Sequence, residues 1–183
     1  EMPRLDLDPV SLTIGRHVAG LVRDGAPVHV GGGRIGAAAL RHLDAREDLA
    51  VHTDVLTDAV LRLVRQRGAA SHSRRAHRSA TVATIALGSR ALYAALDRNP
   101  AVLFLGVDRV TDPAAIGAND GMVVVLPVDE IDLTGLARVD LAAGPHGLPT
   151  HAEFLEGARR ASGGTAILAL SSTLAGEARR GSL

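Results

Sequence analysis

The sequence predicts an α/β domain, an open and mostly parallel sheet with helices on both faces, and three observations carry that expectation. The 183 residues are 46% hydrophobic, enough for one buried core and too few for two comfortable domains. Aromatic residues are only 2% of the chain, so the core falls to Ala, Val, Leu and Ile, which suits a sheet covered by Ala-rich helices. Short apolar runs alternate with segments of helical period, the cadence of parallel strands joined by right-handed crossovers. A single domain over residues 1–183 is expected.

Taken in order, Ile14, Val18, Leu21 and Val22 recur at helical spacing behind Asp8 or Ser11 as a cap, and Gly25 stops that helix. Val28 to Val30 is a short apolar strand that runs into Gly31-Gly32-Gly33 and an Ala-rich helix from Ile35 to Leu43. The same unit repeats as a strand at Leu49 to His52 with a helix from Val55 to Arg67, then a strand at Thr81 to Leu87 with a helix from Ser89 to Leu96. Further strands are expected at Val102 to Val107, Met122 to Leu126, Glu130 to Thr134 and Thr165 to Leu170, with a helix at Glu153 to Ala161 before the last. Gly68 to Ala80 and Ala142 to Thr150 break the rhythm and read as long loops, functional lids or disordered segments.

Composition narrows the function. Formal net charge is zero, with 20 acidic and 20 basic residues, every basic one an Arg; a general nucleic-acid binder has a one-signed field instead. The chain has no cysteine, so disulfides, Cys-zinc sites and thiol nucleophiles are excluded. No apolar run of about 18 residues could span a bilayer and no signal segment opens the chain, so a soluble cytoplasmic protein is expected. Glu1-Met2-Pro3 is an odd native start, which reads as a processing remnant or as part of a longer chain.

Several residues invite chemistry, each with a plainer alternative. Gly31 to Gly33 after a strand allow main-chain N–H groups and the following helix N-terminus to face an oxyanion, or they merely make a tight turn. Asp54, at a strand end, is either a functional carboxylate or the N-cap of the next helix. His52 shares its strand face with Asp54, and a His beside a carboxylate titrates near neutrality as acid or base. Arg34, beside the glycine turn, is a phosphate contact or a solvated Arg, and His151 is a site residue or a loop residue. The cluster His72, Arg74, Arg75, His77 and Arg78 is a phosphate clamp or a solvated charged loop. No two His or carboxylates sit at a metal-ligand spacing on one helix, so no metal is expected. The Gly31 turn is a poor match to a dinucleotide-binding glycine fingerprint.

Read together, several phrases resemble one family. Ile14-Gly15-Arg16, Asp24-Gly25-Ala26 and Gly31-Gly32-Gly33-Arg34-Ile35 are similar to a helix followed by a Gly-x-Gly-x-Ile-Pro loop. Val51-His52-Thr53-Asp54 resembles a His-Thr-Glu segment. Ala86 to Arg90 with Leu92-Tyr93, Asp97 to Pro100, Asn119 to Val123, Glu130 to Gly135, and Phe154 to Arg159 with Gly163-Gly164 follow in the same order. The family they resemble is the C-terminal domain of the acetyl-CoA hydrolase/4-hydroxybutyrate CoA-transferase family, over nearly the whole chain.

That resemblance implies a reaction through an acyl-glutamyl anhydride and a glutamyl-CoA thioester, with coenzyme A as substrate or ligand. Asp54 stands where the family has its nucleophilic Glu, one methylene shorter and about 1.5 Å less in reach. Leu126 stands where the family has an Asn, and Pro149-Thr150-His151-Ala152-Glu153-Phe154 stands at its CoA-contacting Gly-Gly-Gln-x-Asp-Phe loop, making His151 and Glu153 new polar groups. The implied function is an acyl-CoA transferase or thioester hydrolase using Asp54 and His52, with Gly31, Gly32 and Gly33 as oxyanion donors and Arg34, His151 and Glu153 toward CoA. A repurposed or non-catalytic subunit in a biosynthetic pathway is the alternative. Family members place their cleft between this half and an N-terminal half, which implies a separate partner subunit, a homo-oligomer, or a shortened chain.

Overall fold

In the computed structural model, residues 6–70, 81–139 and 150–172 are described. The first stretch holds α1 (Pro9–Leu21), β1 (Pro27–Val30), α2 (Gly33–Leu43), β2 (Ala50–Val51), β3 (Val55–Leu56) and α3 (Asp58–Ala70). The second holds β4 (Thr81–Ala83), β5 (Ile85–Ala86), α4 (Arg90–Leu96), β6 (Val102–Phe104), α5 (Val107–Val110), α6 (Pro113–Gly117), β7 (Val123–Pro127), β8 (Glu130–Ile131) and β9 (Ala137–Arg138). The third holds α7 (His151–Arg160) and β10 (Thr165–Ala169).

A parallel sheet in the order β10-β7-β1-β2 forms the centre, with Val28 registered on Val51 at one side and on Val123 at the other. A single parallel bridge from His52 to Val82 carries the sheet on to the parallel pair β4 and β6. Side chains alternate across a strand, so the sheet has two apolar faces. Val28, Val30, Val51, Val123 and Val125 pack with Val18, Leu40, Leu43 and Leu61 of α1, α2 and α3. Val124 and Leu126 pack on the other face with Ile116, Phe154 and Ala158 of α6 and α7. The expected α/β class, with helices on both faces, is therefore what the chain forms.

Local chemistry explains the ends. Asp8 caps α1, its carboxylate accepting from the Ser11 N–H at 2.9 Å and from the Ser11 hydroxyl at 2.7 Å. Gly15 lets α1 lie directly on α2: a Cβ there would stand 2.5 Å from the Ala38 carbonyl carbon.

Three expected elements differ. The helix expected from Val55 starts at Asp58, because the apolar pair Val55–Leu56 joins Ile85–Ala86 as parallel strands instead. The strand expected over Thr81 to Leu87 is split at Thr84, where the N–H groups of Thr84 and Ile85 both donate to the Asp54 carbonyl, a two-against-one arrangement of the bulge type. Glu130 to Thr134 adds no strand to the main sheet. Asp132 accepts from the N–H groups of Thr134 and Leu136, Gly135 takes φ +87, and the chain folds back as the antiparallel pair β8 and β9. The Val102 to Val107 run ends early because Val107 opens α5; neither α5 nor α6 was expected from the sequence. Among the described residues no helix is long and apolar enough to cross a membrane.

Phe154 is fully buried and is the largest side chain of the α7-facing core. Phe154→Ala is expected to lower unfolding free energy by about 3–5 kcal/mol, read from urea denaturation of the variant beside the parent.

Candidate active site

The site forms where β2 stops. Past Val51, His52 bridges Val82, the Thr53 N–H donates to the Val82 carbonyl at 2.9 Å, and the Asp54 carbonyl takes the two donors just described. The two-against-one arrangement falls on the opposite strand, so His52 and Asp54 stay on the face covered by α7, as the period-two alternation predicts. Asp54 is only 5% exposed. Its Oδ1 accepts from the Val55 N–H at 2.7 Å, with the Thr53 hydroxyl at 3.4 Å, and its Oδ2 accepts from the Thr150 hydroxyl at 2.6 Å. The capping alternative for Asp54 falls, because α3 begins four residues later. It is Asp58 that works at helix ends: its carboxylate accepts from the N–H and hydroxyl of Ser89, the residue that caps α4.

Two imidazoles flank this carboxylate. His52 bonds at Nε2 to the Val110 carbonyl of α5 at 2.7 Å. A carbonyl only accepts, so the proton of the neutral ring sits on Nε2. Burial pushes the His52 pKa down, and that carbonyl pulls it the other way. His29 was not singled out in the sequence, though its place between Val28 and Val30 puts it on the same face as His52. Its ring stacks on Phe154 with centroids 3.6 Å apart, and His52 meets the same Phe154 edge-on at 6.0 Å. Burial holds the His29 pKa down at about 4, the Asp54 charge opposing this and His52 and His151 adding to it. With its pKa held that low by burial, the ring is neutral at physiological pH, and among the described residues its Nδ1 has no hydrogen-bond partner.

Next to β2, the C-terminal end of β1 runs into the glycine turn. The Gly31 N–H donates to the Val125 carbonyl at 2.8 Å and so extends the ladder with β7. Gly33 has φ +88 and opens α2, whose N-cap, Gly32, has no side chain to offer. A Cβ on Gly36 would collide with the Gly31 carbonyl, so the turn lies flat against its helix. Gly32 and Arg34 are exposed. The turn and Asp54 thus follow neighbouring parallel strands, at the sheet edge where ligands of open α/β domains bind.

The first turn of α7 completes the group. His151 and Glu153 are half-buried there, and Glu153 Oε2 is buried with no hydrogen-bond partner among the described residues. Leu126 is a core residue under α7. The His72, Arg74, Arg75, His77 and Arg78 cluster lies outside the described residues, as do all but the ends of the two expected long loops. Among the described residues no group of three or more His, Asp and Glu is placed to hold a metal. A separate cavity of about 320 Å³, lined by Arg23, Asp24, Asp120 and Thr165 among others, opens at the opposite end of β1, β7 and β10.

Neutral His29 gives a pH test. Its folded pKa lies below the 6.5 of the free side chain, so the unfolded chain takes up a proton that the folded one refuses. This contribution is fully present above about pH 6.5 and is lost as pH falls toward about 4. His29→Gln is expected to flatten that limb of the stability curve in denaturant titrations at pH 7, 5.5 and 4.5.

The family model for the acetyl-CoA hydrolase/transferase C-terminal domain matches residues 88–182. The chain is 32% identical over 178 residues to the 4-hydroxybutyrate coenzyme A transferase of Clostridium kluyveri, covering 93% of this chain and 42% of that protein. It is 33% identical over 170 residues to the succinyl-CoA:cyclohexane-1-carboxylate CoA transferase of Geobacter metallireducens, covering 91% of this chain and 39% of that one. RipA from Yersinia pestis superposes with a TM-score of 0.79 at 31% identity, over 92% of this chain and 39% of its own. A 4-hydroxybutyrate CoA-transferase from Porphyromonas gingivalis superposes with a TM-score of 0.75 at 32% identity, over 91% and 40%. The chain therefore spans about two fifths of the length of the relatives it matches. Family model, relatives and shared fold agree: this chain belongs to the acetyl-CoA hydrolase/transferase C-terminal domain family.

Proposed function

We propose that this domain carries the carboxylate part of an acyl-transfer site that acts on a coenzyme A thioester, as an acyl-CoA transferase or acyl-CoA hydrolase. The observation that carries the reading is the Asp54 carboxylate, buried at the C-terminal edge of a parallel sheet and held there by donors from β3 and α7. Family membership and the naming of its relatives as CoA transferases support the substrate class.

In the hydrolytic form, Asp54 takes a proton from water as the water oxygen attacks the thioester carbonyl. The tetrahedral oxyanion then collapses, the C–S bond breaks, and the departing thiolate recovers the proton from Asp54, giving a carboxylic acid and free CoA. In the transfer form, Asp54 itself attacks the thioester carbonyl, releasing CoA thiolate and leaving an acyl-aspartyl anhydride; the thiolate then attacks the aspartyl carbonyl, releasing the donor carboxylate and leaving an aspartyl-CoA thioester, and the acceptor carboxylate takes up CoA by the same two steps in reverse, which frees Asp54. A carboxylate set back by about 1.5 Å favours the first form, since displacing a reacting group by about 1 Å lowers a rate on the order of 100-fold. Of the glycine turn, Gly32 and Gly33 with the α2 N-terminus serve the oxyanion, because the Gly31 N–H is bonded to Val125. His52 offers Nδ1 for proton exchange, its Nε2 being held by Val110. Arg34 reaches toward CoA phosphate, and His151 with Glu153 lines the approach to Asp54.

The other wall of the cleft comes from a region equivalent to the N-terminal half of the relatives, carried by the same polypeptide or by a separate subunit, or from a second copy of this chain in the cytoplasm. The chain spans about two fifths of the length of those relatives.

Calorimetric titration with CoA is expected to show saturable binding. A panel of acyl-CoAs is expected to be hydrolysed or exchanged, with Asp54→Asn lowering the rate at least about 100-fold and Asp54→Glu raising exchange relative to hydrolysis. An inert panel, together with Asp54→Ala that changes nothing, overturns the reading. Light scattering after size exclusion is expected to find a mass larger than that of this chain alone in the active fraction; a fully active monomer of this chain contradicts the shared cleft.

A further inference from the structure

We infer that Thr150 is a positioning residue for Asp54: its hydroxyl fixes the orientation of the carboxylate in which the acyl-transfer reading above, on which this inference rests, has it act. The two residues are 96 positions apart in sequence and meet only through the fold. Their contact, 2.6 Å between hydroxyl and Oδ2, falls in the short range of charge-assisted O–H···O bonds.

What Thr150 does not do is the second observation. It is the N-cap of α7, a position where Thr ordinarily accepts from an N–H of its own helix, yet its side chain makes no capping bond. The Phe154 N–H is instead met by the Thr150 carbonyl at 3.1 Å. The hydroxyl is turned away from its own helix and onto Asp54. With the Val55 N–H on Oδ1, the carboxylate is gripped from β3 on one side and α7 on the other, so it cannot rotate without losing a donor in a buried site. Each carboxylate oxygen has more than one lone pair, so both grips leave acceptor capacity for a substrate proton.

Val removes the hydroxyl at nearly constant volume, and Ser keeps it. Thr150→Val is expected to lower kcat on acyl-CoA by about tenfold to a hundredfold with KM within about twofold, and Thr150→Ser to restore most of the loss. Equal effects of Val and Ser, or a parental kcat in Thr150→Val while Asp54→Asn is inactive, overturn the inference. Should Asp54→Asn leave turnover unchanged, the acyl-transfer reading fails by itself. The clamp is then judged by coupling carboxyl groups with a carbodiimide and an amine and following Asp54 by peptide mass spectrometry. Asp54 is expected to react faster in Thr150→Val than in the parent and in Thr150→Ser; identical rates in all three overturn the clamp.

Discussion

The carboxyl group of a residue with 5% exposure has to be given donors by the protein, because water does not reach it freely and an unmet buried charge is strongly unfavourable. The C-terminal edge of this sheet is arranged around that requirement. The Val55 N–H at the start of β3 donates to Asp54, and the start of α7 brings in the Thr150 hydroxyl. Both depend on the parallel sheet, since it sets β2 beside β4 and seats α7 on the face opposite α1 and α2. Displacing α7 would open the core around Phe154 and release the carboxylate at once.

Phe154 joins packing to chemistry. Its ring fills the α7-facing core, stacks on His29 and meets His52 edge-on. Apolar cover of this kind favours the neutral form of both imidazoles. Burial thus disfavours the charged form of the two imidazoles, His29 and His52, that share a face with Asp54, unlike the imidazole of an exposed His–Asp pair.

Membership of the acetyl-CoA hydrolase/transferase C-terminal domain family accounts for the fold and for the order of the strand–turn–helix units. Two segments around Asp54 and under α7 look different once the chain is folded. The segment Pro149-Thr150-His151 reads in sequence as the loss of a backbone donor, since proline has no N–H. In the folded chain the next residue supplies a side-chain donor to the site carboxylate. Leu126, unable to hydrogen-bond, is absorbed into the core under α7.

The sequence by itself determined the α/β class, β1, the glycine turn and α2, a cap for α1 at Asp8 or Ser11, and the shared face of His52 and Asp54. Each follows from periodicity or from one residue's local chemistry, which needs no distant partner. It could not determine the break after His52, because a bulge is defined by the strand opposite, and the apolar Val55–Leu56 fits a helix start as well as a strand. His29 was legible as a strand residue and as nothing more. Only tertiary packing put Phe154 against its ring and Thr150 against Asp54, contacts that cross more than ninety residues and arise from seating α7 on the sheet. Alternation decides which way a side chain points; what stands there to receive it is decided by the fold.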